Sequence, residues 1–255
     1  MIVELQGKTI LLTGASSGIG FALSRLLAKE KVKLALLARR EKILLRLAED
    51  LKNSGSVILP LKCDVSKKDE TRDAYLKIKS RFGPVDIAIF NSGLAYRAGL
   101  DHFNIDTARE IFDVNVFGLL NFMGELLPDL KSRKEGVIVG VSSLSDCRGF
   151  PRSGFYNASK AAMTFLLESL RIELKSYNIK VLTVKPGFVK TEMTEGNQYH
   201  MPFLMPAEKA AGIIIKGIKK EKKLIQFPLP TVLSTRLLKM MPDFMFEMIA
   251  GRIKK

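Results

Sequence analysis

The sequence predicts an α/β fold of the Rossmann-like, doubly wound kind, with a parallel sheet of about seven strands and helices on both faces. Three observations predict it. Short apolar runs alternate with amphipathic stretches of ten or more residues along most of the chain, and strands separated by such stretches pair in parallel through right-handed crossovers. A glycine-rich turn joins the first apolar run to the first amphipathic stretch. No Pro- or Ser-rich linker and no internal repeat divides the chain, so residues 1–255 read as one domain, with about 190–255 forming a loop and C-terminal tail. In such sheets ligands sit beyond the carboxyl ends of the strands, where the chain order reverses.

The elements follow in order. Lys8–Thr13 is a short apolar strand, and Ile19, Leu23, Leu26 and Leu27 recur at helical spacing after the turn. Lys33–Ala38 is a second strand of buried type, followed by a helix over Glu41–Asn53. Val57–Leu61, a charged helix near Lys68–Arg81 and a strand at Val85–Phe90 continue the alternation. One long helix fits Asp106–Leu130, with Thr107 and Glu110 typical of a first turn. Gly136–Val141 is the fifth strand, Tyr156–Ser176 a helix, and Ile179–Lys185 and Leu224–Phe227 the sixth and seventh strands.

Composition bounds the function. With 47% hydrophobic and 26% charged residues the chain is an ordinary globular protein. Two cysteines, Cys63 and Cys147, make no disulfide scaffold and match no zinc spacing, so both read as thiols in a reducing compartment. The start shows no basic and apolar signal pattern, and no uncharged stretch reaches transmembrane length, so the expected location is cytoplasmic. His102 and His200 are too isolated to form a metal site, and no metal is expected. A formal charge of +15 fits either a solvated surface or attraction to an anionic one. Nucleic acid is not expected, because no interleaved aromatic and basic signature appears.

The turn Thr13-Gly14-Ala15-Ser16-Ser17-Gly18-Ile19-Gly20 has the chemistry of a phosphate cradle. Its glycines let the backbone approach a phosphate, and the free N–H groups and dipole of the helix start would face a pyrophosphate. The spacing is G-x-x-x-G-x-G rather than G-x-G-x-x-G, and tight packing alone is the bland alternative. The second strand then ends Leu37-Ala38-Arg39-Arg40. An NAD site usually places an acid there for the ribose 2′-hydroxyl, whereas arginine accommodates a 2′-phosphate. The expected cofactor is therefore NADP, with Arg39 clamping the phosphate and Arg40 as the second positive charge. Two solvated surface arginines are the alternative.

Tyr156-Asn157-Ala158-Ser159-Lys160 puts Tyr156 and Lys160 one helical turn apart on one face. Alone the pair is weak evidence, since roughly 0.5 such matches arise by chance in a chain of this composition. Ser142 and Ser143 end the preceding strand, however, and Asn115 lies within the long helix before it.

Taken together these residues resemble the short-chain dehydrogenase/reductases, in their single-domain branch. The resemblance covers about residues 5–192. It rests on the Thr13–Gly20 turn, Asp64-Val65, Asn91-Ser92-Gly93, Asn115, Ser143, the Tyr156–Lys160 pair and Pro186-Gly187-Phe188-Val189-Lys190-Thr191. One departure is Phe90-Asn91-Ser92-Gly93 where the family commonly has Asn-Asn-Ala-Gly; the sheet-bracing asparagine is kept as Asn91.

The resemblance implies an NADP-dependent oxidoreductase acting between a carbonyl and an alcohol. Tyr156 would be the general acid in reduction and the base in oxidation. A phenol with a pKa of about 10 needs a cationic neighbour for that work, and Lys160 supplies it while also binding the nicotinamide ribose. Ser143, chosen over Ser142 by the family's spacing to its tyrosine, would hold the substrate oxygen. Asn115 would hold a water that relays protons to Lys160. For the cofactor, Gly14, Ser16, Ser17, Gly18, Ile19 and Gly20 would cradle the pyrophosphate, and Asp64 and Val65 would meet the adenine. Asn91 and Gly93 would flank the adenosine ribose, while Pro186, Val189 and Thr191 would fix the nicotinamide carboxamide. The family also implies a homodimer or homotetramer, paired through the helices near Asp106–Leu130 and Tyr156–Ser176 and burying Phe117, Phe122, Phe165 or their neighbours.

The resemblance implies a small carbonyl or alcohol compound as substrate. Tyr199, His200, Met201, Phe203, Leu204 and Met205 suggest an apolar cavity, or equally a lid packed on the core. Steroid, retinoid, fatty-acyl and xenobiotic carbonyls all remain open. In the tail, Leu233, Leu237, Met240, Met241, Phe244, Met245, Met248 and Ile249 form an apolar helical stripe interrupted by Pro242, with Arg236, Lys239, Arg252, Lys254 and Lys255 around it. Packing on the domain or a sister subunit, peripheral membrane contact, and a lid over the substrate are the three readings. Two other functions compete. A catalytically silent NADP-binding regulatory protein is disfavoured because Tyr156 and Lys160 are both present, and an epimerase or dehydratase because of chain length and glycine spacing.

Overall fold

The computed structural model describes residues 3–96, 103–196 and 200–252. Its strands are β1 (Thr9–Thr13), β2 (Lys33–Ala38), β3 (Val57–Lys62), β4 (Ile87–Phe90), β5 (Gly136–Val141), β6 (Ile179–Pro186), β7 (Val189–Lys190), β8 (Met205–Pro206) and β9 (Leu224–Phe227). Seven of them form one parallel sheet in the order β3-β2-β1-β4-β5-β6-β9, and the short β7 and β8 pair with each other. The helices are α1 (Gly18–Leu27), α2 (Glu41–Asp50), α3 (Lys68–Phe82), α4 (Ile105–Phe112), α5 (Gly118–Arg133) and α6 (Gly154–Glu173). After them come α7 (Glu192–Glu195), α8 (Ala207–Lys219), α9 (Leu229–Met240) and α10 (Asp243–Ala250).

The strands read as continuous apolar runs because both faces of the sheet are covered. Ile10, Leu12, Leu34, Leu36, Ile87 and Ile89 point to one side, where they meet Leu23 and Leu27 of α1, Leu44 and Leu47 of α2, and Ala211, Ile214 and Ile218 of α8. The alternate residues Leu11, Ala35, Leu37, Ala88 and Phe90 meet Ile78 of α3, Phe122 and Leu126 of α5, and Met163 and Leu167 of α6. Burial of a side chain such as Phe122, with no exposed surface, contributes about 1.5–3 kcal/mol. The strand order reverses between β1 and β4, and the turns that follow these two strands face each other across that opening.

Two elements differ from the expectation. The single helix expected over Asp106–Leu130 is α4 and α5 joined by a π-helical turn, Asp113–Phe117, with Asn115 at its centre. A π turn carries one extra residue and re-aims the side chains within it, and such turns are frequent at functional sites. This run is long and apolar, yet Leu119, Phe122, Leu126 and Leu130 are buried, so it is a core helix. Helix α8 lies outside the elements assigned from sequence, although parallel pairing of β6 with β9 requires such a crossover.

Burial also corrects two surfaces. Phe122 belongs to the core and is unavailable to a subunit interface, whereas Phe117 and Phe165 are 51% and 66% exposed. In the tail, packing on the domain involves Val232, Phe246 and Ala250. The apolar stripe itself, apart from half-buried Met241, faces outward.

Candidate active site

The site is built where β1 and β4 end. Gly18 opens α1 at φ +52°, in the left-handed region, and a Cβ there would lie 2.8 Å from the Thr191 methyl. At Gly20 a Cβ would stand 2.1 Å from the carbonyl oxygen of Gly14, so the turn can fold back on itself only with glycine there. Ser17 is the N-cap of α1 but its side chain makes no capping bond, which leaves the first N–H groups of the helix for an anion. Across the opening, the Asn91 amide N–H donates to Thr13 Oγ1 (3.0 Å), and its side-chain Nδ2 donates to the carbonyls of Thr13 (3.3 Å) and Gly14 (3.2 Å). The Ser92 N–H adds a bond to the same Thr13 hydroxyl at 3.1 Å. Asn91 thus ties the two strand ends together and holds the Gly14, Ser16, Ile19 turn in shape. This cradle, whose Gly14, Gly18 and Gly20 leave no room for a Cβ and whose helix N–H groups carry no side-chain cap, fits a dinucleotide pyrophosphate.

The two arginines after β2 part company. Arg40 donates from Nε to Ser16 Oγ at 3.1 Å and from Nη1 to Glu192 at 2.8 Å, so it bridges the cradle to the first residue of α7. Arg39 is exposed beside Tyr96. Burial and Glu110 raise the Tyr96 phenol above its ordinary pKa, and the Arg39 charge opposes them. After β3, Asp64 Oδ1 accepts from the N–H (3.0 Å) and hydroxyl (2.8 Å) of Ser66, while the Val65 carbonyl accepts from Asn121 at 2.9 Å.

The second cluster lies at the end of β5 and the start of α6. Lys160 is buried, and its Nζ donates to the Val141 carbonyl at 2.9 Å, 5.7 Å from the centroid of the half-buried Tyr156 ring. Gly93 comes close enough that a Cβ on it would lie 3.4 Å from Lys160 Nζ and from Asn115 Oδ1. Burial lowers the Lys160 pKa to about 8, against the pull of the Asp146 carboxylate. The two serines have separate jobs. Ser142 is buried, with its Oγ 2.9 Å from the Lys160 carbonyl oxygen and 2.8 Å from Thr164 Oγ1. Ser143 is half-buried, and its Oγ accepts from the N–H (3.1 Å) and hydroxyl (2.9 Å) of Ser145, which leaves its own proton to donate. Asn115 is buried with its side chain fully engaged: Oδ1 accepts from the Leu94 N–H (2.7 Å), and Nδ2 donates to the Leu94 carbonyl (3.0 Å) and Ser159 Oγ (2.9 Å).

Several groups escaped the sequence reading. Asp146 accepts from Thr164 Oγ1 and pairs with Lys185, both at 2.6 Å, in an ion pair whose partners are 7% and 16% exposed. The chain Asp146–Thr164–Ser142–Lys160 braces the lysine from below. Only the position of Asp146, three residues after Ser143, hints at it. Thr194 forms a capping box with Thr191 and donates to the Val189 carbonyl at 2.8 Å. Val189 follows Pro186 at the end of β6, and its pairing with Met205 closes the base of the substrate loop. In that loop His200, Phe203 and Leu204 are exposed and Met205 is buried; Tyr199, like His102, lies outside the described residues.

Comparison with known proteins places this arrangement. The family described as short chain dehydrogenase matches residues 8–201. An uncharacterized oxidoreductase of Myxococcus xanthus is 34% identical over 253 residues, covering 99% of this chain and all of its own. A short chain dehydrogenase/reductase of Burkholderia phymatum, solved with NAD, superposes with a TM-score of 0.86 at 22% identity, over 100% of this chain and 98% of that one. An alcohol dehydrogenase of Thermococcus sibiricus, solved with 5-hydroxy-NADP, gives a TM-score of 0.78 at 27% identity over 87% and 95% of the two chains.

Proposed function

The chain belongs to the short-chain dehydrogenase/reductase family, and from that premise we propose that it is an NADP-dependent oxidoreductase acting between the carbonyl and alcohol forms of an apolar substrate. The observation that carries the reading is the buried Lys160 ammonium beneath the Tyr156 ring. When bound, the nicotinamide supplies or accepts the hydride.

The chain's own residues do the rest. A pKa of about 8 keeps Lys160 mostly protonated at neutral pH, and its charge lowers the cost of deprotonating the Tyr156 phenol. Tyr156 then gives a proton to the substrate oxygen in reduction and takes it back in oxidation. Ser143 donates its unassigned proton to the same oxygen. Asn115 acts as a positioning residue: its side chain fixes the Leu94 backbone and Ser159, and a relay water would have to be held by the main chain of the π turn. The Gly14–Gly20 cradle with Ser16, Ser17, Gly18 and Ile19 would hold the pyrophosphate, and Arg39 with Arg40 the 2′-phosphate. Asp64 and Val65 would meet the adenine, Asn91 and Gly93 its ribose, and Pro186, Val189 and Thr191 the carboxamide. The 5-hydroxy-NADP bound by the Thermococcus protein supports the cofactor; the NAD bound by the Burkholderia protein is the competing choice.

A homodimer or homotetramer belongs to the same reading, supported by exposed Phe117 and Phe165 on α5 and α6 and their flanks. The decisive experiment is a screen of NADPH and NADH oxidation over apolar ketones and aldehydes. Turnover favouring NADPH by about tenfold or more is expected. An NADH preference overturns the cofactor, and NADPH binding without turnover in either direction would leave the silent regulatory protein as the reading.

A further inference from the structure

We propose that helices α9 and α10 form a docking surface for a lipid bilayer carrying anionic headgroups. Both helices leave an apolar face uncovered. On α9, Leu233, Leu237 and Met240 are 56%, 66% and 82% exposed; on α10, Phe244, Met245 and Met248 are 72%, 38% and 53% exposed. Each set runs along one side of its helix at three- and four-residue spacing; Val232 is buried on the neighbouring face of α9, and Phe246 and Ala250 on the opposite face of α10. Scattered apolar residues on a surface need no explanation, but consecutive helices that turn leucine, methionine and phenylalanine outward do.

The helices are held in that posture. Arg148, from the segment between Ser143 and α6, donates to the Leu238 carbonyl at 3.1 Å, to the Met241 carbonyl, and to Asp243 at 2.6 Å. Its guanidinium lies 5.0 Å from the Phe246 ring centroid, and Phe150 packs edge-on against the same ring at 5.7 Å. The apolar faces are therefore presented by a braced scaffold rather than by loose chain. The same brace makes the tail continuous with the loop that carries Ser143.

Charge selects the occupant. Residues 229–255, which include both helices, contain five lysines and arginines against two acids, Asp243 and Glu247. Arg236 borders the α9 stripe, and Lys239 and Arg252 are exposed on the same two-helix unit. A second copy of this chain would meet the patch with the same excess of positive charge, and like charges across a two-fold axis repel. An anionic membrane offers the opposite charge together with an apolar layer for the leucine, methionine and phenylalanine side chains. A bilayer next to the Ser143 segment would also bring lipid-soluble substrates to the site; that consequence, unlike the surface itself, rests on the proposed function.

The test uses the full chain and no turnover. Purified protein is sedimented with vesicles of phosphatidylcholine alone and of equimolar phosphatidylcholine and phosphatidylglycerol, at low and high salt. Binding to the anionic vesicles should exceed binding to the neutral ones by about tenfold and weaken with salt. The triple variant Leu237→Ser, Phe244→Ser, Met248→Ser should lose vesicle binding while keeping its melting temperature and its mass by light scattering. Arg236→Glu with Lys239→Glu should lose the preference for the anionic vesicles. The proposal is overturned if wild-type protein stays in solution with anionic vesicles at low salt. It is equally overturned if the triple variant binds like wild type, or dissociates to a smaller oligomer, which would make the face a subunit contact.

Discussion

The seven-stranded framework with α8, and the substrate loop with the two tail helices, use apolar side chains in opposite ways. In the framework, Leu11, Leu36, Ile89 and Phe122 are removed from water between sheet and helices, and the strand ends are then pinned by polar bonds at Asn91, Asn115 and Lys160. Beyond residue 190, large apolar side chains of the loop and of α9 and α10 are exposed. There the chain is held through β8, the packing of α8 on α1, and the clasp of Arg148. The contrast teaches that the site has one side built for precision and another built for contact. Proton transfer needs groups fixed to fractions of an ångström, whereas an apolar substrate or a bilayer is recognised by area.

The largest effect should come from the fixed side. Tyr156→Phe keeps the ring over Lys160 and removes the transferable proton, so turnover should fall by about a hundred- to ten-thousandfold. NADPH binding, read by fluorescence, should persist. A variant with more than half the wild-type rate would remove Tyr156 from the chemistry. Next, Phe122→Ala deletes a ring with no exposed surface and should cost about 3–5 kcal/mol of unfolding free energy in denaturant titration. A loss below about 1 kcal/mol would mean that the core repacks around the hole.

The Tyr156 prediction stands on a motif legible in the sequence, whereas Phe122, expected at a subunit contact, proves to be core. Strands β1 to β6 are covered on both faces, so their residues form unbroken apolar runs, and the glycine turn after β1 declares a backbone close to itself. Gly20, with its 2.1 Å clearance from Gly14, is such a position. The π turn at Asn115 was not legible, because one extra residue in a helix leaves no mark on composition. Nor were Asp146 with Lys185 and Arg40 with Glu192, which are separated in sequence and joined only by the fold. Helix α8 was not among the expected elements, although Ala210, Ala211, Ile214, Ile215 and Ile218 carry the spacing of a core helix. The tail shows the limit of such patterns: an apolar stripe at helical spacing looks the same whether it faces a core or water.

Lys160 offers a test of how firmly the fixed side is buried. Its pKa falls from 10.5 to about 8 in the fold, because burial disfavours the charged amine. Below pH 8 both folded and unfolded chains hold the proton and the buried charge weighs fully on stability. Between about 8 and 10.5 the unfolded chain holds more protons than the folded one, so stability rises with pH. Cys63, raised to about 12 mainly by burial, pulls the other way above its ordinary 9.0, so the readout is a difference. The melting temperature of wild type should gain on that of Lys160→Met as pH rises above 8. A constant gap would mean that the amine is solvated.

A smaller effect is expected where the two regions touch. Arg40 joins the cradle residue Ser16 to Glu192 of α7. Replacing Arg39 and Arg40 together by alanine should weaken NADPH by about tenfold or more while changing NADH little, since only NADPH carries the 2′-phosphate. Titration calorimetry with both cofactors gives the ratio, and equal losses would show that the arginines do not read that phosphate.

The smallest effect should come from the contact side, and its size is the point. Leu237→Ala removes most of a side chain that is 66% exposed, so little area returns to water and unfolding free energy should change by no more than about 0.5 kcal/mol. Phe246→Ala, one helix away, removes a ring that is 8% exposed and packs against Phe150 and Arg148. It should cost about 3 kcal/mol or more and loosen both tail helices, which limited proteolysis would detect as earlier cleavage after residue 228. If Leu237→Ala proves as costly as Phe246→Ala in dilute solution, the outward face is already covered there. The contrast between a buried framework and a presented surface would then fail at the residue on which it is sharpest.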